Sequence, residues 1–595
     1  MRKLFYIIPL IILAVGCDLT ENQKSSADRA MVFNSEVGLH AYVYSFYTTM
    51  LPDSKEAFII SSTMDNAAKK DLSVYERGAY TKETSTSWSW GNLRNVNYFI
   101  KHNVSEEISD DVRNHYTGIA KFFRAWFYYD KLVSYGELPW IDEPLEPDSP
   151  ELYAGQDSRD VIISHIIDDL DYAYENITTS AIVPGANEIN KWTPLLLKAR
   201  ACLFEASFRR YHAGSPYLKG CKISDEDLYK EAADAAALLM EKGPYKLHTT
   251  AVYKDGRGAY RDLFISDDAV EEEVMLAVGC GKNTKLGYQN YWYNSPSYGS
   301  RLCMTRTMAN TYLNRDGSFY VDTHKSFAEE TSDRDLRLNQ TIRCADYTCR
   351  QADGSYALTP PNMTGHSFTG YQFTKYVIDD VTFDGGQTNY NDIPLLRYAE
   401  ALLVLAEAKA ELGTIKDADW AATMGALRRR AGITGGALDN LPTESDPCMK
   451  ALYPEISGKP VLLEIRRERE CELILEGQRI DDLKRWGCGH LWADAPWDGL
   501  YIADLDTPID INGDGVLDAY FTADQNYASS GEHKALYVGV KTSGDETGLH
   551  AVAAEGGGYI LEFKLPRTWN DNMYLYPIPS QVILLNPNLH QNYGW

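Results

Sequence analysis

Residues 119–133 read IAKFFRAWFYYDKLV, and Ile119, Phe122, Phe123, Trp126 and Phe127 return at the spacing of one helix face. The run stops at the turn Tyr135-Gly136-Glu137-Leu138-Pro139. The same period continues over 159–176, through Val161, Ile162, His165, Ile166, Asp169 and Leu170. It predicts further helices over 193–211, 228–242, 394–412 and 461–486. Pro194 and Pro394 each stand at a first helical turn, where a missing N–H costs nothing. Gly413 is the expected stop after Leu412. In VLLEIRRERECELILEGQRIDDLKRW, Arg466 with Glu470 and Glu464 with Arg467 are one-turn charge pairs that support a single helix. The Ala-rich stretch 400–410 suits stacked helix pairs of the tetratricopeptide kind, although no repeat consensus is visible.

Two regions lack this period. Residues 243–392 and 490–575 are rich in Gly, Tyr, Asn and Asp and read as long functional loops with short strands. The fold class is therefore mainly α, a helical scaffold carrying an irregular face. The expected division is a leader over 1–16, a polar tether over 17–35, an N-terminal helical region over 36–242, a loop-rich ligand-binding region over 243–392, and a C-terminal region over 393–595.

The first residues, MRKLFYIIPLIILAVGC, place basic Arg2 and Lys3 before an apolar run, Leu4 to Val15, that is too short to span a bilayer. That is a secretory signal peptide. It ends in Leu-Ala-Val-Gly-Cys, which is similar to a bacterial lipobox with Cys17 as the lipidated residue. Acyl chains on Cys17 would anchor the protein, at ~0.8 kcal/mol per buried methylene. The chain is expected to be tethered to a membrane only through that lipid. Of the other Cys, Cys344 and Cys349 are close enough in sequence to pair, but no disulfide framework is evident. Most read as small buried apolar residues.

The formal net charge is -26. Such a surface repels phosphate backbones and anionic membranes, so nucleic acid is excluded as a natural partner. The 41 Tyr among 595 residues are an excess that favours wet binding surfaces, because each offers an apolar face with a polar tip.

Within YQNYWYNSPSY, residues 288–298, Tyr288, Tyr291, Trp292, Tyr293 and Tyr298 are set among amides and hydroxyls with no aliphatic residue. Sugar rings have apolar C–H faces and a hydroxyl rim, so their binders combine flat rings with directional polar groups. Asn290 and Arg301 supply such groups here. Any one ring could equally pack beneath a loop; at least two of the five are expected to meet ligand. Trp88 and Trp90 alternate in TSTSWSWGNLRNVN, so on an extended strand both would face one way, one exposed and one buried. Arg94 and Asn97 read as structural. Asp510, Asn512, Asp514, Val516 and Asp518 fall at the spacing of a calcium loop, with Gly515 at its turn. The bidentate Glu is replaced by Phe521, and a weak structural Ca²⁺ is expected. The carboxylates of DDLD at 168–171, EEE at 271–273 and Asp481-Asp482 read as solvated or scaffold faces. No serine-hydrolase, zinc-protease or nucleotide-loop motif is present, so no catalytic residue is assigned.

Several stretches together resemble the SusD/RagB family of Bacteroidetes outer-membrane lipoproteins. They are the lipobox, GNLRNVNYFI at 91–100, YGELPWIDEPL at 135–145, SRDVIISHIIDDLDYA, NDIPLLRYAEALLVLAEAKAELG at 391–413, GALRRRAGI at 425–433, LLEIRRERECELILEGQRIDDLKRWG at 462–487 and the ending YLYPIPSQVILLNPNLHQNYGW. The resemblance implies four tetratricopeptide-like helix pairs with a variable ligand region. It implies a non-catalytic cell-surface protein that captures oligosaccharides or polysaccharides and docks on a SusC-like TonB-dependent transporter in the outer membrane. It also implies ligand contacts in the region before CMTRTMANTYLNRDG at 303–317 and just before the helix of Asn97. The alternative it carries is a peptide- or protein-binding lipoprotein of the RagB type. A glycoside hydrolase is the remaining reading that sequence leaves open.

Overall fold

The helices that build the scaffold are α1 (Glu36–Met50), α2 (Ser54–Ser61), α3 (Gly91–His102), α4 (Asp110–Tyr135), α5 (Arg159–Asn176), α6 (Thr193–Tyr211), α7 (Asp225–Lys242), α8 (Tyr398–Glu411), α9 (Pro460–Leu473), α10 (Arg479–Arg485) and α11 (Ser580–Leu585). The computed structural model describes residues 29–251, 258–280, 295–298, 301–385 and 389–595. Helices α1/α3, α4/α5, α6/α7 and α8/α9 form four pairs, and each pair touches the next. The local chemistry explains their limits. Asp110 and Asp111 favour the start of α4, and Gly136 ends it with φ 79. Ser158 and Ser224 cap α5 and α7 through their hydroxyls. Phe122, Phe123 and Leu132 of α4 are fully buried in the largest core, against Ile162, Ile163 and Ile166 of α5.

A second core lies under the loop-rich half, among short strands. Strand β1 (Ala67–Lys69) pairs antiparallel with β3 (Leu302–Met304), which also pairs with β6 (Tyr371–Gln372). Strand β2 (Val274–Val278) pairs antiparallel with β7 (Ile393–Arg397). Strand β8 (Asp498–Ile502) joins the hairpin of β12 (Gly548–Ala553) and β13 (Tyr559–Lys564).

Two expected helices are corrected. Residues 393–397 are strand β7, and α8 starts only at Tyr398. A two-stranded sheet leaves each strand an open edge, where the N–H missing from Pro394 is harmless. The long helix over 461–486 breaks into α9 and α10, with Leu475 (φ 61) and Gly477 (φ 78) in left-handed backbone. The break is held from outside. Arg397 binds the Glu472 carbonyl and both oxygens of Glu476, and Lys375 takes the Ile474 carbonyl. Of the two charge pairs, Glu464–Arg467 forms. Arg466 instead reaches Glu455, because Glu470 is drawn to Arg479 and Tyr453. Both helices are interior, so their charges pair across elements rather than along one face.

Glu472 sits at the centre of that interior network, with no solvent exposure. Its carboxylate accepts from Arg397 at 2.6 Å, from Arg337 at 3.1 Å and from Arg430. Burial alone would raise this carboxyl, but Arg430, Arg397 and Arg337 hold it well below the usual range. Glu472→Gln keeps the shape and removes the charge, leaving buried guanidinium groups without their full counter-charge. It is expected to lower unfolding free energy by about 3–5 kcal/mol, read from the shift of the urea midpoint.

Candidate functional site

A cleft of 490 Å³ opens where α2, residues 69–76 and Arg301-Leu302 meet. The register of β1 on β3 pairs Lys69 with Leu302, which brings Lys70 beside Arg301 at the strand ends. Helix α2 is fixed at its start by a reciprocal cap between Asp53 and Glu56. It presents Ile59 and Ile60 to solvent, 51% and 47% exposed. Phe58, Ile59 and Leu302 are thus the apolar lining, and Lys70, Asp71, Ser73 and Arg301 are polar groups around it. Lys69 is tied down by an ion pair with Glu76 and by donation to the Ser62 carbonyl at 2.9 Å. Burial lowers its pKa, and Glu76 opposes that shift.

A second hollow adjoins the cleft. Ile59, Thr63 and Ser73 line both the cleft and this recess of 460 Å³. The recess takes Trp126, Tyr129, Asp130 and Lys131 from α4, Arg200 from α6, and Tyr576 from the C-terminal stretch. Its other wall is the break before α10, from Glu476 through Gln478, followed by Asp481 and Lys484 on α10. Arg200 is bound at two points by Glu400, at 2.6 Å each, and Lys131 donates to the Ser87 carbonyl at 2.8 Å. The Asp130 side chain is 69% exposed at the edge of the recess.

The sequence candidates divide among separate places. Arg301 lines the outer cleft. Tyr298 is 39% exposed, with its ring 5.0 Å from that of His366. The turn bearing it is held by Ser295, whose hydroxyl donates to Asp384 at 2.6 Å. Tyr288, Asn290, Tyr291, Trp292 and Tyr293 lie outside the described residues, as does Cys17. Trp88 and Trp90 line a different cavity, of 540 Å³, with Leu145, Leu152, Tyr153 and Leu585. The expectation of one exposed and one buried ring is corrected: both are half-buried, 5.3 Å apart and edge to face. Residues 85–90 form no paired strand, so alternation does not govern them; Tyr135 and Phe127 pack against the two rings instead. Asn97 is structural, as expected, donating to the Ile141 carbonyl at 2.9 Å. Arg94 donates to the Leu145 carbonyl and borders the tryptophan cavity.

The loop of Asp510, Asn512, Asp514, Val516 and Asp518 connects β9 (Pro508–Ile509) to β10 (Ala519–Thr522) as a hairpin, not two helices. Asp510 accepts from the N–H groups of Gly513 and Gly515, and Asp518 accepts from Ile511. Among the described residues no group of three or more His, Cys, Asp or Glu side chains converges as a metal site. Cys344 and Cys349 are both free and buried.

The sequence profile of the SusD family matches residues 273–595, more than half of the chain. The chain belongs to the SusD family. It is 21% identical over 518 residues to SusD-like protein P2 of Formosa agariphila, covering 82% of this chain and 91% of that one. A SusD-like protein of Bacteroides fragilis superposes with TM-score 0.68 at 18% identity, over 95% of this chain and 98% of the other. A SusD-like carbohydrate binding protein of the same species gives TM-score 0.66 at 19% identity, over 94% and 100%. The surface glycan-binding protein A of Bacteroides fluxus gives 0.56 at 18%, over 94% and 100%. These likenesses establish the SusD-like fold.

In this SusD-family protein the sequence reading missed the recess. Asp169, Glu273 and Asp482 are scaffold carboxylates, each held by buried arginine. Asp481, beside Asp482, instead faces the recess. Burial raises its carboxyl to about 6; Lys484 opposes the shift, and Asp482 and Asp130 add to it. A folded-state value above the unfolded one means the charged form opposes folding above about pH 6. That penalty vanishes once both states are protonated, below about pH 4. Asp481→Asn is therefore expected to melt higher than the parent protein at about pH 8, with the gap closing toward pH ~4 in a thermal-melt series.

Proposed function

We propose that the protein is a non-catalytic, cell-surface lipoprotein that captures oligosaccharides in the cleft beside Arg301 and passes them to a SusC-like TonB-dependent transporter. The observation that carries this reading is the cleft itself: exposed Ile59 and the Phe58 ring stand beside Arg301, Lys70, Asp71 and Ser73. Apolar surface rimmed by directional polar groups suits the two faces of a sugar. Membership of the SusD family and fold likeness to a carbohydrate binding protein support the same assignment. Anchoring through a lipid on Cys17 is part of the same proposal, supported by the lipobox-like Leu-Ala-Val-Gly-Cys.

On a glycan array, and by calorimetry with the oligosaccharides it identifies, Arg301→Ala and Ile59→Asp are each expected to weaken binding about tenfold, or ~1.4 kcal/mol. Unchanged affinity in both variants would remove the cleft as the capture site. Trp292→Ala tests the aromatic stretch in the same assay.

Calcium at 510–518 is a separate proposal, supported by the spacing of Asp510, Asn512 and Asp514 and by the hairpin that closes the loop. Excess Ca²⁺ is expected to raise the melting temperature relative to a chelator, and the difference to vanish in Asp510→Ala. Equal melting in both conditions removes it.

A further inference from the structure

The inner recess contains charged groups that the scaffold leaves without partners. The Lys484 side chain is buried, with the residue 3% exposed, and its ammonium forms no hydrogen bond or ion pair. It lies 4.6 Å from the Tyr576 ring centroid and 5.5 Å from that of Tyr75. Asp481, on the preceding turn of α10, likewise has neither hydrogen bond nor ion pair, and Asp130 stands 4.0 Å from Lys131 without hydrogen bonding to it. Elsewhere in this interior, buried arginines and carboxylates are matched at several points each. Buried polar groups are normally satisfied, because an unmet one loses its hydration without return. Lys484 and Asp481 thus have no hydrogen-bond partner in the scaffold, and both line the recess.

We infer that this recess is a second saccharide subsite, in which a neutral polyhydroxylated residue is held by Lys484 and the carboxylates of Asp481 and Asp130. The inference rests on the glycan reading above and adds the chemical class of residue taken. A hydroxyl can both accept from an ammonium and donate to a carboxylate, so neighbouring hydroxyls on one ring can meet both kinds of group together. The lining charges balance three against three, Asp130, Asp481 and Glu476 against Lys131, Lys484 and Arg200. A simple anion would gain the lysines and be repelled by the aspartates; a simple cation would face the reverse. Rings of Trp126, Tyr129 and Tyr576 supply the apolar wall that a sugar face requires. The recess volume of 460 Å³ falls within the usual range for small-ligand sites, roughly 300–1,000 Å³. Burial lowers the pKa of Lys484, which agrees with an ammonium held without full solvation.

The test uses the full mature chain and calorimetry with short neutral gluco-, manno-, galacto- and xylo-oligosaccharides, beside a panel of tripeptides. Asp130→Asn removes a charge exposed in the recess, where the fold does not depend on it; Lys484→Met removes the ammonium and keeps the stem. Both are expected to weaken the best-bound oligosaccharide at least about tenfold, and Asp130→Asn keeps the test decisive if Lys484→Met does not fold. If the parent protein binds sugar and Arg301→Ala weakens it, but Asp130→Asn binds within about twofold of the parent, the recess is no subsite while the cleft stands. Binding of tripeptides rather than sugars, weakened by Asp130→Asn, overturns the saccharide assignment of the recess. Binding of neither class overturns both the recess and the capture function.

Discussion

The reach of Arg397 into the α9–α10 corner is the contact on which the rest of the architecture turns. This one guanidinium, at the end of β7, bonds Glu273 at the start of β2, the carboxylate and carbonyl of Glu472 at the end of α9, and Glu476 beyond it. It therefore ties the two-stranded sheet of the loop-rich half to the last helix pair of the scaffold. Charges buried this deeply are costly to desolvate, and the arrangement holds because each is met several times. Glu472 has three arginines, and Arg337 has Asp335, Glu468 and Glu472. Specificity follows: a carboxylate that must meet three guanidinium groups from three different elements leaves those elements little freedom of relative position.

The same corner makes the recess. Were 461–486 one straight helix, Glu476, Gly477 and Gln478 would be an ordinary helical turn. The left-handed backbone at Leu475 and Gly477 redirects the chain, so the segment from 476 to 484 becomes a wall facing α4. Asp481 and Asp482 illustrate the consequence. Adjacent on α10, one is consumed by Arg469 and Arg485, and the other is turned to the cavity. Scaffold and site are thus built from consecutive residues, and the structural network positions the groups available for binding.

The outer cleft has a different origin. It depends on β1 and β3, two short strands distant in sequence whose register places the 69–76 segment against Arg301. The apolar contribution comes from α2, where Ile59 remains uncovered beside Phe58. Trp88 and Trp90, the second aromatic candidate of the sequence, border another cavity with α11. Their rings pack on Tyr135 and Phe127 of α4, so the scaffold claims part of each surface.

By itself the sequence determined several of the scaffold helices, the family through its resemblance, and the absence of a catalytic motif, because helical period and stops such as Gly136 and Gly413 act within a few residues of where they are read. It also determined that Arg301 is a site candidate, since its neighbourhood carries a strong local composition. Only the tertiary structure decided that 393–397 is strand, that the last long helix breaks at Leu475, that Arg466 pairs with Glu455, and that Asp481 faces a recess rather than solvent or a counter-ion. Each of those outcomes depends on a partner far along the chain. A backbone carbonyl released from a helix is stable only if something such as Arg397 or Lys375 arrives to receive it, and periodicity within one segment carries no information about that arrival.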